Sequence, residues 1–237
     1  MVSPVTQIAY ARPALAGSDP LPPDLAEHEH PASWVAAQLR TLLARLEAPA
    51  PYVLASHSIG GLIAEAYAAR WPAETAALVF VDPAHPSFGH DPERVCADHE
   101  PGGIRFSMAA SERERKSFPT PRAMPTVVAS SAVGRWLNVT EPEHLAGLTP
   151  AEADELWQDF QRDWAARTGA VHVVAHTAGH CVHTEEPRLI AVLIDAVVAA
   201  VRNGRGLGLD PQVVDAAGGM LVDNCGDADH TLVVNAN

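Results

Sequence analysis

Cysteine is scarce. The 237 residues carry three, Cys96, Cys181 and Cys225, widely spaced and without a CxxC pair. That count and spacing exclude a disulfide framework and a thiolate zinc site. Basic residues are also few: 16 Lys and Arg against 29 Asp and Glu leave a net charge of −13. A surface of that sign does not track phosphates, so no nucleic-acid partner is expected. Aromatics make up 5 % of the chain, so the core must be assembled from alanine and branched aliphatics. No apolar run is long enough to span a bilayer; the best, Leu189–Val201, is too short. The first twenty residues lack a basic segment followed by an apolar core, so no leader is expected and a cytoplasmic location is the default. Neither GxxxxGK[ST] nor a well-placed GxGxxG occurs, and no internal repeat is found.

What is present alternates. Short apolar runs of strand type occur at Val5–Tyr10, Tyr52–Ala55, Ala77–Val81, Pro125–Ser130 and Val171–Ala175. Helical patterns separate them. Trp34, Val35, Leu39, Leu42, Leu43 and Leu46 share one stripe, with Ser33 as a candidate cap. Thr149-Pro150-Ala151-Glu152 is a helix start of the capping-box type. Pro187 opens a final apolar helix that Asn203-Gly204 stops. Strands alternating with helices predict an α/β fold: a mostly parallel sheet in three layers, with helices on both faces. Residues 1–203 read as one domain. Residues 84–123 are mixed in character and read as a small cap; the charged run Ser111–Lys116 within them reads as a solvated helix face. Residues 204–237 lack a clear period and read as a mobile tail.

The chemistry centres on Tyr52–Pro72, YVLASHSIGGLIAEAYAARWP. Ser58 falls between a strand and a helix, with small residues, Ser56 and Gly60, two positions to either side. A turn that tight tolerates only small flanking side chains, and it leaves the serine hydroxyl exposed above the sheet edge. The Ile59 N–H, at the start of the helix, is placed to meet an oxyanion. A serine nucleophile needs a base, and the base needs an orienting acid. His180, in Gly179-His180-Cys181-Val182-His183, lies between the last strand and the last helix and is the candidate base; His183 is the alternative. Asp82 ends the strand after the serine's helix, at the same sheet edge, and is the candidate acid. Glu141 and Glu143 are the alternatives. The histidines at 172, 176, 180 and 183 fall across a strand and a loop without an HExxH pattern, so no metal is expected. His57 reads as a neighbour of the turn.

These residues resemble the α/β-hydrolase superfamily, in its esterase, lipase and small-molecule hydrolase branch, from Val5 to about Val201. AYARPALAGSDP resembles the loop after the family's fourth strand, and YVLASHSIGGLIAEAYAARWP its fifth strand, nucleophile turn and helix. LVFVDPAHP resembles the sixth strand and its exit, where pancreatic-type lipases carry the acid in a similar Asp-Pro-Ala segment. GHCVHTEEP resembles the histidine loop GHxIxxDxP, whose first histidine is the base. The resemblance implies a serine hydrolase of small carboxylic esters or related acyl compounds, working through Ser58, His180 and Asp82 without cofactor. There are departures. The loop's aspartate is Ala11 and two of its glycines are Ala14 and Ala16. Measured against the family, the chain begins at the fourth strand, and no His-Gly pair precedes Ser58 to supply a second oxyanion donor. Losing one such donor costs about 2.7–4 kcal/mol. A catalytically impaired or ligand-binding remnant is therefore the alternative expectation. The shortened sheet leaves an edge that a homodimer, another chain or the tail could cover.

Overall fold

The computed structural model describes residues 5–88, 95–97, 102–119, 123–139, 145 and 147–222. In chain order the elements are α1 (Pro23–Ala26), β1 (Glu29–His30), α2 (Ala32–Arg45), β2 (Tyr52–His57), α3 (Gly60–Arg70), β3 (Thr75–Val81), β4 (Val95–Ala97), β5 (Arg105–Ser107) and α4 (Met108–Ser117). They continue with β6 (Thr126–Ser130), α5 (Pro150–Thr168), β7 (Val171–Ala175), α6 (Val182–Glu185), α7 (Pro187–Asn203), α8 (Pro211–Ala216) and β8 (Gly219–Val222).

The apolar runs at Ala77–Val81, Pro125–Ser130 and Val171–Ala175 become inner strands, and the one at Tyr52 becomes an edge strand. The main sheet has the order β2-β3-β6-β7-β8. Its first four strands are parallel, and β8 runs antiparallel to β7. Strand periodicity divides each run between two cores. Leu78 and Phe80 of β3, with Val128 of β6, pack against Val35 and Leu43 of α2, Leu62 and Tyr67 of α3, and Trp164 of α5. Val79, Val81, Val127 and Val173 face Leu189, Leu193 and Val197 of α7 and Val214 of α8. A second, three-stranded sheet has the order β1-β5-β4. Among the described residues no helix is long and apolar enough to cross a membrane.

Several local expectations are met. α5 begins with the full capping box of Thr149 and Glu152, and α7 stops at Gly204 in a left-handed conformation. Others are corrected. Val5–Tyr10 is not a strand; Val5, Ile8 and Tyr10 are exposed and pair with nothing in the sheet. No described strand pairs with the outer edge of β2. Ser33 is not a cap: α2 starts one residue earlier, and the Ser33 hydroxyl donates to Glu114. The Ser111–Lys116 run is helical but not wholly solvated. Ser111 and Arg115 are buried, because α4 lies on α2 and α3 and Arg115 pairs there with Glu65. Of the expected cap at 84–123, the described parts are β4, β5, α4 and the segments beside them.

The stretch from 204 onward also differs from expectation. Asp210 caps α8 by accepting from the Gln212 N–H at 2.9 Å, and Val214 buries against α7. Gly219 then brings β8 onto the sheet. A Cβ at this glycine would lie 2.7 Å from Leu189 and 2.8 Å from Val173, so the absent side chain permits the close approach. Periodicity misses this because two short elements, not one long one, carry the contacts. β8 covers β7, not β2, so it leaves the β2 edge as it was. Residues 223–237 lie outside the described residues.

Candidate active site

The loop between β2 and α3 turns sharply. Ser58 has φ 54°, a left-handed conformation that a β-substituted residue adopts at a cost. Neighbours hold it there. The Ser58 N–H donates to the Val81 carbonyl at 3.2 Å, and the Ala84 N–H donates to the Ser58 carbonyl at 3.0 Å. A Cβ at Gly60 would stand 3.4 Å from that of Ser56, in van der Waals contact, so the two flanking side chains face each other with little room beyond Cβ. At Gly61 a Cβ would come within 2.7 Å of Pro83. The helix can therefore begin only against a bare backbone, close beside the end of β3.

Asp82, also at a positive φ of 42°, stands at that end and is fully buried. Its carboxylate is crowded with donors. Oδ1 accepts from the Ser131 N–H and hydroxyl, both at 2.9 Å, and from Trp157 Nε1 at 3.0 Å. Oδ2 accepts from His180 Nδ1 at 2.7 Å and Arg135 Nη1 at 2.8 Å. Burial alone would raise its pKa. The His180 hydrogen bond, the Arg135 charge and the Ser131 N–H outweigh burial and hold it below the usual aspartate value. Burial in turn lowers the Arg135 guanidinium, with Asp82 opposing it.

His180 Nε2 lies 2.9 Å from Ser58 Oγ. Because Nδ1 faces a carboxylate, the Nδ1–H tautomer is the one that fits, which leaves Nε2 to accept the serine proton. The loop carrying His180 is tethered at several points. Glu186 Oε1 accepts from the Thr177 N–H, the Thr177 hydroxyl and the Ala178 N–H at 2.7–3.0 Å. Glu185 accepts from the Gly179 N–H at 2.8 Å. His57 Nε2–H donates to the His180 carbonyl at 2.8 Å. Burial, then the neighbouring His180, pushes His57 down to about 4, so it is neutral near pH 7.

The structure thus brings Ser58, His180 and Asp82 together and leaves His172, His176 and His183 outside that line. The His183 ring packs on His57 at 4.5 Å. His172 is buried on β7, bonded to Ser130. His176 faces Asp215 at 3.5 Å. Glu141 and Glu143 lie outside the described residues. The Ile59 N–H makes no hydrogen bond among the described residues.

A cavity of about 360 Å³ opens over Ser58 and His180. Its wall is mainly apolar: Ile59, Ala84, Phe88, Met108, Trp136 and Val139, with Trp157. Arg135 and His85 add the polar remainder. The Arg135 guanidinium lies over both indoles, 4.3 Å from Trp136 and 4.7 Å from Trp157. His85 stacks flat on Phe160 at 4.0 Å. Sequence reasoning misses Ser131, Arg135 and Trp157. A usable signal exists for the first two: Ser131 follows β6 directly and Arg135 lies five residues past its end, at the sheet edge that bears Ser58 and Asp82. Trp157 offers none, since its apolar helical spacing is that of ordinary core.

The model of a family described as the alpha/beta hydrolase family matches residues 3–193. No curated protein sequence matches the chain. Among solved structures, the chain is similar to a thermophilic esterase from Thermogutta terrifontis, at 19 % identity and a TM-score of 0.48, over 73 % of this chain and 74 % of that one. It is also similar to a "probable hydrolytic enzyme" from Pseudomonas aeruginosa, at 19 % identity and 0.43, over 72 % and 70 %.

Proposed function

The chain belongs to the alpha/beta hydrolase family, and from that premise we propose that it is a serine hydrolase of small carboxylic esters or related acyl compounds. One observation carries the reading: a continuous hydrogen-bonded line from Ser58 Oγ through His180 to the buried Asp82, at 2.9 Å and 2.7 Å. Ser58 Oγ attacks the acyl carbon as its proton passes to His180 Nε2. Asp82 holds the imidazole in the required tautomer and stabilises the imidazolium. The Ile59 N–H meets the oxyanion. The imidazolium then gives its proton to the departing alkoxide, leaving an acyl-Ser58. Water, deprotonated by the same nitrogen, attacks that ester; the tetrahedral species collapses to acid and regenerated serine. Apart from substrate and water, every group in these steps belongs to the chain. The cavity of about 360 Å³ falls at the small end of ligand sites, which favours compact acyl groups.

The alternative is a ligand-binding module that keeps the apolar cavity without turnover. Fluorophosphonate labelling separates the two. The enzyme reading expects one label per chain, abolished in Ser58→Ala, together with turnover of short-chain ethyl esters. A folded protein without Ser58-dependent label would favour the module.

A further inference from the structure

Arg135 has more hydrogen-bonding capacity than the protein uses. A guanidinium carries five N–H groups in a rigid plane. One, on Nη1, donates to Asp82. No other hydrogen bond from this guanidinium is made among the described residues. The side chain is only 13 % exposed, and Arg135 is among the residues that line the cavity. The guanidinium lies over the rings of both Trp136 and Trp157, which restricts its movement. Among the described residues lining the cavity none is a carboxylate; Asp154 and Glu185 act on Arg135 through charge, without a hydrogen bond to it. Compensation of Asp82 accounts for the charge of Arg135 but not for its remaining donors. Asp82 already takes hydrogen bonds from Ser131, Trp157 and His180, and compensation would use one N–H of the five. A desolvated, planar cation with free donors, set in an apolar wall, is the arrangement that recognises a carboxylate through two parallel hydrogen bonds.

We propose that Arg135 is a subsite for a carboxylate carried by the acyl part of the substrate. The inference rests on the serine-hydrolase reading of the same cavity: acyl carbon at Ser58, charged end at Arg135. It names the substrate class as half-esters of short dicarboxylic acids. Arg135 then bridges two anions, the buried Asp82 and the ligand. A substrate with a neutral acyl end leaves the spare donors without a partner.

Two measurements on the full chain test this. Glutarate is titrated calorimetrically into the wild type, Ser58→Ala and Arg135→Met, and kcat/KM is compared for monoethyl glutarate and ethyl valerate, which match in chain length. The wild type and Ser58→Ala should bind glutarate, and Arg135→Met should bind it roughly ten- to a hundred-fold more weakly. The same substitution should lower the monoethyl glutarate to ethyl valerate ratio by a similar factor. Arg135→Lys keeps the charge beside Asp82 while losing the planar fork, and should weaken glutarate by a smaller factor; it serves if the Met variant misfolds. Equal glutarate affinity in the wild type and the Arg135 variants, no glutarate binding by the wild type, or an unchanged substrate ratio would each overturn the subsite. Absence of Ser58 labelling would overturn the hydrolase reading instead, and the glutarate titration would still decide the subsite.

Discussion

Ser131 bonds Asp82 twice on one oxygen, through its backbone N–H and its hydroxyl, each at 2.9 Å. The residue just after β6 thereby fixes the carboxylate at the end of β3. In Ser131→Ala the hydroxyl is lost and the N–H stays. A hydrogen bond to a charged group is worth about 1.5–3 kcal/mol. The variant should lose stability on that scale, and its kcat should fall several-fold as Asp82 gains freedom. Denaturant unfolding and steady-state kinetics check both; unchanged values in the variant would contradict the role given to this hydroxyl.

Stability should fall on mild acidification. Burial, followed by the Arg162 charge, pushes His172 down to about 4, from an ordinary value of 6.5. Between those two values the unfolded chain binds a proton at this histidine that the folded chain refuses. The unfolded state binds more protons, so stability rises with pH across this window and is lost as pH falls from about 6.5 to about 4. His57, also lowered to about 4, adds in the same direction. The His172 contribution is at most about 3 kcal/mol at 1.36 kcal/mol per pH unit. Unfolding free energies measured between pH 7 and pH 4 should show a shallower slope in His172→Gln. An identical slope would show that His172 takes its proton as readily folded as unfolded.

Glu65 is buried on α3 between two guanidiniums, Arg115 Nε at 3.0 Å and Arg167 Nε at 2.7 Å. Neutralising one member of such a group leaves buried charge uncompensated, at a cost of about 3–5 kcal/mol. Glu65→Gln should fall near the lower end, because Arg115 keeps Asp163 at 3.1 Å. Chemical denaturation would reveal it; a loss below about 1 kcal/mol would mean that the pairing adds little.

Glu186, the residue just before α7, organises the histidine loop through three hydrogen bonds to one oxygen. Glu186→Ala should leave His180 poorly placed and lower kcat by about ten-fold or more, since small misplacements at a reacting centre are expensive. Glu186→Gln, whose amide oxygen can still accept, should recover most of the rate. The pair distinguishes positioning from simple packing: if Gln and Ala behave alike, the acceptor oxygen is not what matters.

The parts of the site legible in the sequence are those built by local backbone geometry. Ser58 with its small neighbours, and the flanking strand and helix, share one short stretch. Asp82 and His180 each end or follow a recognisable strand. The parts that stay hidden are made by convergence: Arg135 and Trp157 meet only when α5 folds back over the sheet edge. Ser33 illustrates a competing partner. As a sequence feature it caps a helix, but Glu114, 81 positions away, takes its hydroxyl. Likewise α8 and β8 are too short for periodicity to detect, and their contacts with α7 and β7 define them.

Ser58 and Asp82 share one further property: both sit at positive φ, 54° and 42°, on adjacent strand ends. Backbone held in this region costs on the order of 1 kcal/mol or more per residue. The rest of the fold must hold two such residues side by side. Replacing Ser58 with glycine, which adopts that conformation freely, should raise the melting temperature while abolishing turnover; a lower melting temperature in Ser58→Gly would show that the turn is unstrained. The protein would then be most stable in a form that cannot work. Selection for heat resistance alone would tend to discard the nucleophile first, and any thermostability screen of this chain should be run with an activity screen beside it.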